Sequence, residues 1–222
     1  MRIPLDKFFH FLATPVRLRA RFAIALLIVP LIAAFTQPLW RISMVAPQYP
    51  AGLALDIYAH KVEGGRGGND IQEINTLNHY IGMSKIDRAA LSDLDWLPFA
   101  IGALVILTLR VAAIGDVRAL IDLAVMTGYF TLFSLGRFVY KLYVLGHNLD
   151  PKAPVHMDPF MPAIFGTKQI ANFTVTSLPR GATVWMALYA TGLAAIVVWH
   201  LVAGRREAVR RARTPAMEPS AN

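Results

Sequence analysis

The strongest constraint on the fold is a set of four long apolar blocks in a chain of 222 residues. The blocks cover Phe22–Trp40, Leu97–Ile114, Ala119–Leu135 and Ala182–Val202. A helix that crosses a bilayer needs about 20 apolar residues, and these blocks are apolar nearly all round instead of along one face. Charged residues make up only 16% of the chain, against about 25% in a soluble domain. The sequence therefore predicts an all-α integral membrane protein with four transmembrane helices.

The distribution of basic residues predicts the orientation. Five basic residues precede the first block, five arginines follow the last, and Arg118 lies in the short turn between the second and third blocks. By the positive-inside rule, both termini and this turn are cytoplasmic, in a bacterial inner membrane. The net charge of +8 is then explained by topology, so we expect the lipid bilayer and no nucleic acid as partner. A secretory signal peptide also fits the first block, but we expect a retained span.

These rules divide the chain into eight segments. The spans are 22–40, 97–114, 119–141 and 182–202. A cytoplasmic amphipathic N-terminus covers 1–21, extracytoplasmic segments cover 41–96 and 142–181, and a basic cytoplasmic tail covers 203–222. The two long outer segments are expected to form a cap. Within the first, residues 53–60 alternate as a strand does, and Asp70 with Glu73 forms a capping box that opens a helix over 71–82.

The outer segments hold four of the six histidines and four of the eight methionines, in a chain without cysteine. Thioethers prefer Cu(I), and imidazoles bind copper in either oxidation state or zinc. The candidate metal ligands are His79, Met83, His147, His156, Met157 and Met161. The side chains expected to orient the imidazoles by hydrogen bonds are Glu73, Asn78 and Asp150. On a continuous helix, His79 and Met83 would lie one turn apart on the same side, whereas a helix that ends at Gly82 would weaken this pairing. The alternative stays open, since a loop histidine is more often a surface residue and methionine an ordinary core filler.

Several chemistries are not indicated. Without cysteine there are no disulfides and no thiolate metal sites. No nucleophile elbow, phosphate-binding glycine loop or HExxH motif occurs, so no catalytic residue is predicted. Only His200 lies within a span, whereas bis-histidine haem ligation needs two facing histidines.

Four strings of the outer segments resemble a known family. They are PQYPAGL (Pro47–Leu53), EINTLNHYIGM (Glu73–Met83), GHNLDP (Gly146–Pro151) and GTKQIANF (Gly166–Phe173). They are similar to small bacterial membrane proteins found beside copper lipoproteins and transporters of the nitrous-oxide-reductase maturation type, over most of residues 44–180. The resemblance implies copper or metallocofactor handling. Residue by residue it favours His79, Met83 and His147, while His156 and Met157 rest on ligand chemistry alone.

Together these observations predict a membrane-anchored factor that binds a copper ion and delivers it to an extracytoplasmic metalloprotein. Two alternatives remain. One is a structural subunit that assembles with other membrane subunits and has no metal of its own. The other is a membrane metalloenzyme subunit, which would need an open coordination position and a substrate pocket.

Overall fold

The fold combines helices with a five-stranded antiparallel sheet, so the all-α prediction is wrong. The computed structural model describes residues 12–87, 91–170 and 172–213, with the side chains of the last helix described as far as Arg206. In chain order the elements are α1 (Leu18–Leu26), α2 (Ile28–Ala33), β1 (Trp40–Ala46), β2 (Tyr49–Ile57), β3 (Val62–Gly64), α3 (Asp70–Tyr80), α4 (Asp93–Ile114), α5 (Val117–His147), β4 (Gly166–Ile170), β5 (Phe173–Pro179) and α6 (Gly181–Arg213).

The first apolar block does not form the span predicted over 22–40. Helix α1 ends at Leu26, the six-residue α2 ends at Ala33, and Trp40 already opens strand β1. At 1.5 Å per residue the two helices together measure about 24 Å, short of a hydrocarbon core of about 30 Å. The prediction of four spans is therefore wrong. The first part of the predicted amphipathic N-terminus, residues 1–11, lies outside the described part of the chain.

Three helices are long and apolar enough to cross a membrane, by length and composition. They are Asp93–Ile114, Val117–His147 and Gly181–Arg206. They coincide with the other three predicted spans, although each is longer than predicted. Helix α5 begins at a side-chain cap, because Asp116 Oδ1 accepts the Ala119 backbone N–H at 2.8 Å. The predicted basic tail continues α6 to Arg213, and residues 214–222 lie outside the described part of the chain.

The long helices share an apolar core with α1 and α2. The residues at its centre are at most 1% exposed and come from all five helices: Ile24, Leu31, Ile101, Leu120, Tyr189 and Leu193. The short helices α1 and α2 therefore complete the bundle by packing against its longer members.

One hydrogen bond crosses this core between α4 and α6. Thr108 Oγ1 lies 2.6 Å from its own helix carbonyl at Leu104 and 2.8 Å from the Tyr189 hydroxyl. Because the threonine proton is directed to Leu104, Tyr189 donates to Thr108. We expect Tyr189→Phe to lower the free energy of unfolding by about 1 kcal/mol, as for other hydrogen bonds between apolar helices. Titration with SDS in mixed micelles measures this.

The control for that variant is Thr191→Val. Thr191 is exposed on the same helix, and its hydroxyl donates only to α6 carbonyls, at Ala187 and Leu188. Its replacement should leave stability unchanged. Equal losses in both variants would show that the bond between helices contributes nothing.

The sheet joins the two outer segments of the chain. Its strand order is β3-β2-β1-β5-β4, and every neighbouring pair is antiparallel. Strands β1–β3 precede the α4–α5 hairpin in sequence, and β4 and β5 follow it. The central pairing of β1 with β5 runs from Trp40 opposite Pro179 to Val45 opposite Thr174. The two segments thus form one structural unit, here called the cap, comprising residues 40–87 and 148–179.

The sheet has one covered face and one open face, because side chains alternate along each strand. Leu53, Leu55 and Val175 point to the covered face, where α3 lies, and are at most 5% exposed. On the opposite face, Val45 and Leu178 are 47% and 40% exposed. The cap therefore has its own core, separate from the core of the helical bundle.

Helix α3 matches the helix predicted over 71–82 to within two residues, but its predicted capping box is wrong. The N-cap is Asn69, which makes no side-chain cap bond. Asp70 is buried instead, and its carboxylate accepts from Ala54 N at 2.8 Å and from Arg66 Nε at 2.6 Å. The residue expected to cap the helix therefore ties its first turn to strand β2.

Helix α5 extends beyond the bundle and reaches the cap. Near its middle, Arg137 Nε donates to the Asp93 carboxylate at the start of α4, at 3.0 Å. One residue further on, the Phe138 ring lies 5.0 Å from the ring of Trp40 in β1. The last turns of α5, up to His147, therefore lie beside the cap.

Candidate metal site in the cap

Two backbone hydrogen bonds join the end of α3 to the segment that follows α5. Asp150 N donates to Gly82 O at 2.8 Å, and Val155 N donates to Tyr80 O at 2.9 Å. A Cβ at Gly82 would lie 3.0 Å from Asp150 N and 3.1 Å from the Ala153 side chain. The close approach of these two backbone segments therefore requires glycine at position 82. The fold thus brings together the two outer segments that contain the predicted ligands. We call this contact the cap junction (residues 79–83 with 150–157).

A glycine turn separates His79 from Met83. Gly82 has φ +78°, its N–H donates to the His79 carbonyl at 3.2 Å, and the Met83 N–H donates to the Asn78 carbonyl at 2.8 Å. These two bonds form a Schellman motif, which ends a helix. Met83 therefore lies beyond α3. Of the two alternatives, the structure shows the helix that ends before Met83, so His79 and Met83 are not neighbours on one helix face.

The three predicted imidazole ligands lie at the surface of the cap and at its border with α5. His79, His147 and His156 are all exposed. His79 precedes Tyr80 and His156 follows Val155, so these two histidines flank the same backbone hydrogen bond. Both imidazoles are accessible to an ion from solvent.

His147 is fixed at the end of α5 by Tyr143. The two rings stack with centroids 3.8 Å apart, and His147 Nδ1 lies 2.9 Å from the Tyr143 carbonyl oxygen. Because a carbonyl oxygen only accepts, Nδ1 carries the proton in the neutral ring. Nε2 is then the nitrogen with a free lone pair, and it is the atom through which His147 can bind a metal.

The methionines lie deeper than the histidines. Met83 and Met157 are half-buried against the apolar cluster between the sheet and α3. Met161 is also half-buried, and its carbonyl accepts from Lys168 Nζ at 2.7 Å, which ties this segment to β4. The side chains of Met83 and Met157 therefore contribute to the cap core.

The residues expected to orient the imidazoles have other roles. Glu73 accepts a hydrogen bond from the Tyr49 hydroxyl, and this bond raises the pKa of Tyr49. Asp150 Oδ1 accepts the Lys152 backbone N–H at 2.9 Å. Asn78 is buried, and its Nδ2 has no hydrogen-bond partner among the described residues. In the part of the chain that the structure describes, none of the three bonds a histidine.

No group of three or more His, Asp and Glu side chains is placed to hold a metal ion within the described ranges. Zinc and calcium sites are usually built from such groups. The segments of the cap junction contain a different combination of side chains, exposed imidazoles and half-buried thioethers. Among biological metals, this ligand set suits copper.

The sheet is the feature that sequence reasoning missed, and a signal for β5 was present. Phe173, Val175 and Ser177 are buried, and they alternate with the exposed or half-buried Thr174 and Thr176. This period of two is the pattern of a strand with one face covered. It would have identified β5, although not its partner β1.

Comparison of the chain with protein-family models, with curated proteins and with solved structures found no match. Function is therefore inferred from the residues of the chain itself.

Proposed function

We propose that the chain is a bacterial inner-membrane protein whose cap binds copper outside the cytoplasm and delivers it to a metalloprotein. Membrane insertion is supported by α4, α5 and α6, which are long and apolar enough to span a bilayer. It is also supported by large apolar side chains that point outward from α4 and α5. Phe99, Ile106, Tyr129 and Leu132 are each 68–79% exposed. A surface of this kind is stable in lipid and prone to association in water.

The charges support a cap outside the cytoplasm. Arg17, Arg110, Arg118 and Arg205 belong to the end of the bundle that is farthest from the sheet. By the positive-inside rule this end faces the cytoplasm, together with both chain termini. The cap then projects into the extracytoplasmic space, where a copper-accepting protein can reach it.

The observation that carries the copper proposal is the cap junction. The hydrogen bond from Val155 N to the Tyr80 carbonyl is flanked by the exposed imidazoles of His79 and His156. Met83 and Met157 belong to the same two segments and pack against the apolar cluster of the cap, and their thioethers would complete the ligand set. A shallow His/Met site of this kind favours Cu(I). Because the imidazoles are exposed, the ion can pass to a partner without unfolding of the cap.

Copper content of the detergent-purified chain tests this proposal. After loading with Cu(I) we expect about one ion per chain, measured by mass spectrometry of the metal. The double variant His79→Ala/His156→Ala should lose it, because both junction imidazoles are removed.

His60→Ala is the matched control for this experiment. His60 is also exposed, but it lies just after β2, near the bundle, with its ring 6.4 Å from that of Phe35. This variant should keep its copper. The proposal is contradicted by a copper-free parent chain, or by an equal loss in the His60 variant.

A second candidate function is a structural subunit of a larger membrane complex. The open face of the sheet favours it, because Val45 and Leu178 are 47% and 40% exposed there. A chain that remains free of copper after loading, and that is stable only together with other subunits, would support this candidate over copper delivery.

A further inference from the structure

We propose that the end of the bundle opposite the sheet binds anionic phospholipids, with arginines at the headgroup phosphate and α1 against the acyl chains. This surface is distant from the cap junction, so the proposal is independent of copper binding. Three features carry it. They are the attachment of the N-terminal segment to the α4–α5 turn, the arginines collected there, and an exposed apolar stripe on α1.

The segment before α1 is tied to the turn between α4 and α5. Val117 N donates to the Thr14 carbonyl at 3.0 Å. One turn into α1, Arg21 Nε donates to the Ala112 carbonyl near the end of α4, at 2.7 Å. These bonds hold the arginines of α1 beside those of the α4–α5 turn.

The result is a cluster of positive charge drawn from four parts of the chain. Among the residues whose side chains the structure describes, seven arginines lie at this end against two aspartates, Asp116 and Asp122, which gives a net charge of +5. Asp116 is already used as the cap of α5. Besides Arg21, the cluster contains six exposed arginines: Arg17, Arg19, Arg110, Arg118, Arg205 and Arg206.

An apolar stripe lies directly beside this charge. Leu18, Phe22 and Leu26 are spaced four residues apart on α1 and are 66%, 70% and 69% exposed, so they form one outward face. At its charged end, the Arg17 guanidinium lies 5.5 Å from the centroid of the Trp199 ring, which is itself 45% exposed. Tryptophan and arginine side by side are typical of the level of lipid headgroups.

This surface fits a ligand with an anionic head and an apolar body. A nucleic acid or a free phosphate ion would contact the arginines and leave Leu18, Phe22 and Leu26 in water. A phospholipid satisfies both parts, because guanidinium groups bind phosphate oxygens strongly and acyl chains cover the stripe. Phosphatidylglycerol is favoured over phosphatidylcholine, because only the former keeps a net negative charge.

Native mass spectrometry of the full chain in detergent tests the proposal. We expect phosphatidylglycerol to bind more tightly than phosphatidylcholine, and high salt to weaken it. Each arginine near an anionic surface contributes roughly fivefold to binding. The triple variant Arg19→Gln/Arg110→Gln/Arg118→Gln should therefore lose affinity for phosphatidylglycerol on the order of a hundredfold. Thermal unfolding checks that this variant is folded, as expected from the exposure of all three residues.

The matched control removes three exposed lysines from the cap, Lys61→Gln/Lys85→Gln/Lys152→Gln. It makes the same change in net charge and should leave phosphatidylglycerol binding unchanged. Equal affinity for the two lipids, or an equal loss in the lysine variant, would overturn the proposal. Competition by inorganic phosphate would also overturn it, because the site would then be one for a free anion.

Discussion

Replacement of Gly146 by alanine is expected to lower the free energy of unfolding by about 3 kcal/mol, at the upper end of the usual cost of overpacking. A Cβ at this position would overlap the carbonyl oxygen of Phe160 and lie 2.8 Å from Pro162 Cδ. The two backbones are also bonded, since Phe160 N donates to the Gly146 carbonyl at 3.0 Å. The clash can be relieved only by breaking that bond, which is why the expected effect is large. SDS titration of the purified protein measures it.

Gly136→Ala is the control, on the same helix. A Cβ at Gly136 would meet nothing within 4 Å, and alanine has the higher helix propensity. We expect no loss of stability in this variant. If Gly146→Ala were equally stable, the end of α5 would not contact residues 160–162, and the adjoining cap junction would lose its support.

Leu53→Ala is expected to lower the free energy of unfolding by a similar amount, about 3 kcal/mol, through the cavity it leaves. Leu53 is 1% exposed and belongs to the cluster between the sheet and α3. Its strand neighbour is Met44, directly opposite on β1. The loss should appear in the unfolding of the cap, followed by near-ultraviolet circular dichroism.

Val45→Ala tests the register of β1 from the opposite face of the sheet. Val45 is adjacent to Met44 in β1 but points to the open face, where it is 47% exposed. We expect a loss of about 1 kcal/mol or less, the range of strand propensity alone. A slip of β1 by one residue would exchange the two faces. A larger loss at Val45 than at Leu53 would therefore contradict the register.

The elements that follow from local periodicity were predictable. The spans at 97–114, 119–141 and 182–202 and the helix at 71–82 correspond to α4, α5, α6 and α3. In each of them the hydrophobic signal lies within one continuous stretch of chain. The strand predicted at 53–60 overlaps β2, but β2 begins earlier, at Tyr49.

The error at 22–40 has a physical cause. The apolar run continues from the helices through Trp40 into β1, and an apolar run alone does not distinguish a span from a buried strand. The distinction comes from pairing with β5. Trp40 Nε1 donates to Ser177 Oγ in that strand, 137 residues away. No local pattern carries this information.

The candidate site also divides into residues that the sequence predicts and a contact that only the fold supplies. Ligand chemistry selected His79, His147 and His156, all of which the structure finds exposed. It could not supply the contact between Tyr80 and Val155 on which the site depends. The pairing of His79 with Met83 failed because the positive φ of Gly82 ends the helix between them.

The pairing of β1 with β5 also sets the order of biogenesis. During synthesis, β1 leaves the ribosome before both helices of the α4–α5 hairpin, whereas β5 follows them. Until β5 arrives, the nascent cap has an exposed strand edge where its centre will be, a state prone to mispairing. Closure of the sheet is a contact of long sequence separation and is expected to be slow. Synthesis of the hairpin therefore precedes completion of the cap, and a chain truncated before residue 173 would present an open edge to its surroundings.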